Sequence, residues 1–180
     1  RRAALEQLSK GLSWYPDAQA VATKLANGST HIGAGVLAAL SPLKNWGENV
    51  NLATRALKDK RATGHFPDAC DKANRIMAHE PWHEVLPLHK KTWWFAACIE
   101  TAGQDPIAVA VDRHAFDVAL GEHTDDWTRK VLDRKGAYEQ LAELYRTAAD
   151  ELFDQGEIRL TAAEVQAVTW TVWRDEKGLS

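Results

Sequence analysis

The sequence predicts an all-α protein. Apolar residues recur at helical spacing along most of its 180 residues, capping patterns stand at several of the breaks, and no stretch shows the alternation a sheet requires. A chain of this length is expected to form a single all-helical domain over residues 1–180 with a substantial buried core.

Taken in order, a short helix is predicted over Ala3–Leu12, ended by Gly11–Ser13, with Trp14-Tyr15-Pro16 as a turn. Asp17 can cap a second helix over Ala18–Ala26, which Asn27-Gly28 closes. A helix over about Thr30–Leu40 carries Gly33 and Gly35. Each glycine costs helix propensity, roughly 1 kcal/mol, so close backbone packing is expected there. Ser41-Pro42 ends that helix, because proline disfavours helical geometry in the residue before it. Asn45–Lys60 places Trp46, Val50, Ala53 and Leu57 at helical spacing. Gly64-His65-Phe66 links to a helix begun by Pro67 and running to about Ala78, with Ala69, Ala73, Ile76 and Met77 toward the core. After the central stretch, Gly121–Asp125 is loop-like. Gly136–Asp154 is amphipathic, with Tyr138, Leu141, Leu144, Ala148 and Leu152 near one side. Thr161 and Glu164 spell a capping box for a last helix to about Asp175.

Composition bounds the function. No apolar run reaches the roughly 18 residues a membrane span needs, and the opening RRAALEQLSKGLSWYP lacks the apolar centre of a signal peptide. Cys70 and Cys98 show no metal-ligand spacing and are expected to be reduced core residues. A cytoplasmic protein without membrane association or cofactor is the expectation; nothing indicates an oligomeric state. The net charge of −3 counts against nucleic-acid binding by bulk charge, but local charge on one face decides that question. Three basic groupings exist: Arg55, Lys58, Lys60 and Arg61; Lys90 and Lys91; Arg129, Lys130, Arg134 and Lys135.

The stretch Leu86–Gly121 carries the most specific pattern. Leu86-Pro87-Leu88-His89 reads as a hairpin entrance to an apolar helix from about Lys90 to Ala102. A Gly-Gln-Asp-Pro loop leads into a short buried run, Ile107–Val111. Asp112-Arg113-His114 then opens another helix. An aspartate in that place is a natural N-cap, and backbone N–H bonds keep such a carboxylate ionised.

This order of features resembles the helix-hairpin-helix DNA glycosylase superfamily, the group that contains endonuclease III. There a hairpin ending in Lys-Thr begins a helix, and an apolar run delivers a Val-Asp-x-His segment with the catalytic aspartate. Lys91-Thr92 and Val111-Asp112-Arg113-His114 occupy those places here. The glycine hairpin of the family is replaced by Leu88-His89-Lys90. The Asp-Arg-His-Ala wording, with Gln-Ala-Val-Thr-Trp-x-x-Trp-Arg at 166–174, looks most like a small phage-associated branch. That branch is linked to hypermodified thymine or cytosine in DNA (α-glutamyl/putrescinyl thymine pyrophosphorylase-like).

The resemblance implies a two-lobed helical bundle, with helices from both chain ends in one lobe, the middle helices in the other, and the active site in the cleft between. It implies double-stranded DNA with a modified base as partner, in a bacterial or phage-infected cell. Asp112 would stabilise the oxocarbenium and activate water. Lys91 is the other candidate catalytic residue, as a Schiff-base nucleophile in a lyase. Its separation from Asp112 is longer than in endonuclease III, so phosphate contact and a monofunctional enzyme are expected instead. Lys90, Lys91, Thr92, Arg113 and His114 are the candidate DNA contacts. Trp93, Gln166, Trp170 and Trp173 are candidates for the wall of a pocket that receives an extruded base; the last three share one helical face and serve equally as a packing seam.

A second motif competes. His79-Glu80-Pro81-Trp82-His83 fits the His-Glu-x-x-His pattern of zinc proteases, and His89 falls where a third ligand would. That chemistry needs both histidines on one continuous helix, and Pro81 interrupts the span. The bland reading is a helix that ends near Ala78 followed by a connector, with no metal. Three functional readings therefore stand: a DNA glycosylase, a pyrophosphorylase-like enzyme that processes a hypermodified thymine, and a non-catalytic DNA- or protein-binding module.

Overall fold

The computed structural model describes residues 4–88, 90–125, 128, 130–134, 136–156 and 158–177. Among the described residues there are nine α-helices, one 3-10 turn at Lys130–Asp133, and no strand. The chain divides into two compact units. One, the chain-end unit, comprises Arg1–Pro16 with Gly103–Ser180; the other, the middle unit, comprises Asp17–Ala102.

The first helix corrects the sequence reading. α1 runs unbroken over Leu5–Leu25 with Pro16 inside it, so Trp14-Tyr15-Pro16 is not a turn and Asp17 is not a cap. Proline removes one intrahelical hydrogen bond and crowds the preceding turn, at a cost of about 3 kcal/mol. Burial offsets it: Tyr15, Ala18 and Ala22 are all almost fully enclosed. Gly11 is a packing residue rather than a stop, since a β-carbon there would lie 2.5 Å from Val168 Cα within the chain-end unit.

In the middle unit, α2 (Thr30–Ala39) is the central element, capped by Ser29, whose side chain accepts from the Ile32 amide. It packs against α3 (Trp46–Asp59), α4 (Pro67–Met77), α5 (Trp82–Val85) and α6 (Lys91–Glu100). A helix hydrophobic on every side belongs in a core, and every residue from Gly33 to Leu40 is buried. The two glycines have the expected reason. A β-carbon on Gly33 would overlap the Ala22 carbonyl, and one on Gly35 would sit 2.6 Å from Trp82 Cβ. Leu37, Ile76 and Ile99 are fully enclosed here; such burial contributes about 1.5–3 kcal/mol per side chain.

The α3 register differs from the expected stripe. Asn49, Leu52, Ala53 and Ala56 are buried, whereas Trp46, Val50 and Leu57 are only half-buried. Asn49 enters the core by donating to the Leu37 carbonyl at 3.0 Å. The α4 register agrees: Pro67 stands in the first turn and Ala69, Ala73 and Ile76 are buried.

The chain-end unit is built from α7 (Arg113–Leu120), α8 (Ala137–Asp154) and α9 (Ala162–Lys177). Its core joins Val109, Val111 and Ala115 to Leu141, Ala142, Tyr145, Ala149, Ala162 and Val165. The Thr161 and Glu164 capping box is formed in both directions, at 2.8 and 3.1 Å. Leu144, expected on the apolar face of α8, is instead 58% exposed.

Candidate functional site

The chain-end unit delivers Asp112 on a backbone that side chains hydrogen-bond at several points. Asp105 Oδ1 accepts from the amides of Ile107 and Ala108, both at 2.9 Å, which shapes the turn into residues 107–111. Ala108, Val109, Ala110 and Val111 are buried, while Ile107 is 55% exposed. Arg146 donates to the Ile107 carbonyl from Nε at 3.1 Å and Nη2 at 3.0 Å. The Tyr138 hydroxyl donates to the Val109 carbonyl at 2.8 Å and accepts from the Val111 amide at 2.9 Å.

Asp112 is then the N-cap of α7 in extended geometry. Its Oδ1 accepts from the His114 and Ala115 amides, each at 2.9 Å. Two orphan donors of the helix are thereby satisfied and the carboxylate is oriented. Tyr145 closes the same turn by donating to the Ala115 carbonyl at 2.9 Å. Burial raises the phenol pKa well above its ordinary value and the nearby Asp112 charge adds to this, so Tyr145 stays protonated. Of the candidate DNA contacts here, Arg113 is exposed and His114 half-buried.

Further along α7 lies a carboxylate that the sequence reading passed over. Asp117 is fully buried and accepts from Thr124, through the amide at 3.2 Å and the hydroxyl at 2.5 Å. His123 Nδ1 lies 3.2 Å from its other oxygen. The arrangement ties the loop after Gly121 back onto the helix. An aspartate two residues beyond Ala115, followed by His-Thr after a glycine, was the available signal.

The candidate pocket residues of the last helix meet the start of α1. Gln166 is buried and accepts from the Tyr15 hydroxyl at 3.1 Å. Trp170 packs edge-on to Trp14 with ring centroids 6.2 Å apart, and the Arg174 guanidinium lies 4.5 Å above its ring. Trp173 is buried. Gln166 and Trp170 thus form a seam with Trp14 and Tyr15. A cavity of about 280 Å³ in this unit is lined by Val118, Ala119, Leu144, Tyr145, Ala148, Val165 and Thr169, and none of the three candidate pocket residues is among them.

The middle unit holds the other candidates. Lys90 is the N-cap of α6 without a side-chain cap bond, and Lys91 is the first helical residue. The Lys91 ammonium lies 5.8 Å from the Phe95 ring centroid, one turn on. Thr92 is half-buried beside it. Trp93 donates to the His83 carbonyl at 3.2 Å and packs edge-on against Trp82 and Trp94. It belongs to the middle unit, whereas Gln166, Trp170 and Trp173 belong to the chain-end unit.

The His-Glu-x-x-His stretch is interrupted where Pro81 stands. α4 ends at Met77, Ala78 is its C-cap, and His79 takes a left-handed conformation at φ 70°. Pro81 is the N-cap of α5, which carries His83. Glu80 is bound by Arg75 Nη2 at 2.6 Å and Nε at 2.9 Å, and this hydrogen-bonded guanidinium holds its carboxyl below the ordinary glutamate range. No group of three or more potential metal ligands occurs among the described residues. His89 lies outside them.

Arg55, Lys58, Lys60, Arg61 and Lys90 are exposed in the middle unit, as are Lys130 and Arg134 in the chain-end unit; Arg129 and Lys135 lie outside the described residues. No described helix is long and apolar enough to cross a membrane. The chain belongs to the DUF7178 family, a family of unknown function whose model matches residues 1–177. No curated protein and no solved structure matches it significantly.

Proposed function

We propose that this chain is a DNA base-excision enzyme of the helix-hairpin-helix glycosylase type, acting on double-stranded DNA that carries a modified base. The observation that carries the reading is the placement of Asp112. A buried run braced by side chains ends on a carboxylate that two backbone amides orient at the start of a helix. Lys91 begins the helix that precedes that run, which is the order the resemblance requires. The composition of the two units, one from both chain ends and one from the middle, agrees with the same reading.

The chemistry follows from charge. An extruded nucleotide leaves its stack at a cost of a few kcal/mol, least for a modified or mispaired base. As the bond from the sugar carbon to the base nitrogen breaks, the electron pair goes to the base and the sugar becomes cationic. The Asp112 carboxylate opposes that charge, then accepts a proton from the water whose oxygen attacks the sugar carbon. Lys91 contacts a phosphate as a point charge and forms no covalent bond. That proton then passes from Asp112 through water to the departed base, so the products are free base and an abasic site and the carboxylate is ionised again.

Product analysis on duplexes bearing modified thymines or cytosines tests this. Mass spectrometry is expected to find free base in solution. A changed base still joined to its sugar would favour the pyrophosphorylase-like chemistry, and no product from any duplex would favour the binding module.

A further inference from the structure

We infer that Tyr138 and Arg146, both on α8, are positioning residues that set Asp112 for the reaction; this rests on the function proposed above. α8 reaches the backbone that leads to Asp112 at three groups: the carbonyls of Ile107 and Val109 and the amide of Val111. No strand exists among the described residues, and side chains of α8 bind these groups.

Arg146 forks onto the Ile107 carbonyl with two donors and is itself held by Glu139 at 2.6 Å and Glu143 at 2.9 Å. The Tyr138 hydroxyl both donates to Val109 and accepts from Val111, using the donor and an acceptor of a single oxygen. Val111 directly precedes Asp112. The aspartate is thus held from two directions: backward by the phenol on the preceding residue, and forward by its own bonds to the His114 and Ala115 amides. Neither α8 residue is near Asp112 in sequence, and neither carries the chemistry. Their role is to fix where the carboxylate stands, and a misplacement of about 1 Å at a reacting centre can cost on the order of a hundredfold in rate.

A probe that reads charge placement without knowledge of the target base is a DNA duplex with a pyrrolidine abasic-site analogue. It is cationic where the developing charge would be, so a site complementary to the transition state binds it tightly. The same duplex with a neutral tetrahydrofuran analogue is the reference. Wild type is expected to prefer the cationic duplex, and Asp112→Asn to lose that preference. Tyr138→Phe should lower the preference about tenfold and Arg146→Gln by less, with affinity for the neutral duplex unchanged, because a misplaced charge weakens only the interaction that needs it. A purely structural role would move both affinities together or neither.

If both α8 variants keep the wild-type preference while Asp112→Asn loses it, the positioning inference is wrong and the proposed function stands. Should wild type itself show no preference, the function is wrong and the inference goes with it. Arg146→Gln, which acts at the far end of the run, carries the test alone if Tyr138→Phe does not fold.

Discussion

The two stretches in which this chain spells a catalytic motif end very differently in the structure. At Val111-Asp112-Arg113-His114 the backbone is braced from α8, and the carboxylate is oriented by two amides of the helix it opens. At His79-Glu80-Pro81-Trp82-His83 the helix has stopped, the two histidines share no helix, and the carboxylate is bound by Arg75. The difference teaches that a motif acquires chemistry only when the intervening backbone can hold it. Pro81 stands where the helix is interrupted in one stretch, and Tyr138 and Arg146 hold the backbone before Asp112 in the other.

The bracing is the part of this contrast easiest to break. Tyr138→Phe leaves the Val109 carbonyl and Val111 amide without their phenol partner, in a run that is buried. An unsatisfied buried backbone group costs about 1–3 kcal/mol, so a loss of about 2 kcal/mol is expected in urea or thermal unfolding. A melt identical to wild type would mean that water replaces the hydroxyl without cost.

How far the contrast was legible in advance depends on the range of each interaction. Asp112 as a cap, the Thr161 and Glu164 box and the Pro67 start are local signals, and each is where the sequence places it. The glycines of α2 were legible as a packing requirement, though not their partners Ala22 and Trp82. Continuity of α1 through Pro16 was not legible, because the burial of Tyr15 and Ala22 that outweighs the proline is tertiary. Tyr138 and Arg146 looked like ordinary α8 residues, since the groups they bind lie 27 to 39 positions earlier in the chain. Asp117 was passed over for a related reason: its burial and its bonds to Thr124 depend on how the loop after Gly121 folds back.

A smaller effect separates the two units' contributions. Lys91→Ala should weaken binding to any duplex and lower the slope of log affinity against log salt by about one, as expected for one lost phosphate contact. A covalent adduct trapped by borohydride in wild type but absent in Lys91→Ala would instead make Lys91 a nucleophile.

The smallest effect is expected at the broken motif. The Arg75 pair lowers the Glu80 carboxyl below its ordinary range, so whatever stability it lends is present above that range and lost as pH falls through the lowered value. Both side chains are well exposed, at 44% and 46%, and salt screens such pairs. Glu80→Gln should therefore remove only a slight acid dependence of the melting temperature, and should leave base release unchanged. A chelator should do the same to activity. Activity lost together with stoichiometric zinc would restore the histidines to the mechanism.

The proposed reaction depends on one carboxylate, and the most direct measurement is single-turnover release of base from modified-base duplexes by wild type and Asp112→Asn. Asparagine caps a helix about as well as aspartate, so fold, melting temperature and DNA affinity should be retained. What is lost is the negative charge opposite the developing cation and the acceptor for the proton of water. Removing one preorganised contact of this kind costs on the order of a hundredfold to a thousandfold in rate, and that loss is the predicted result. An Asn protein that releases base at the wild-type rate would show that Asp112 is only a helix cap.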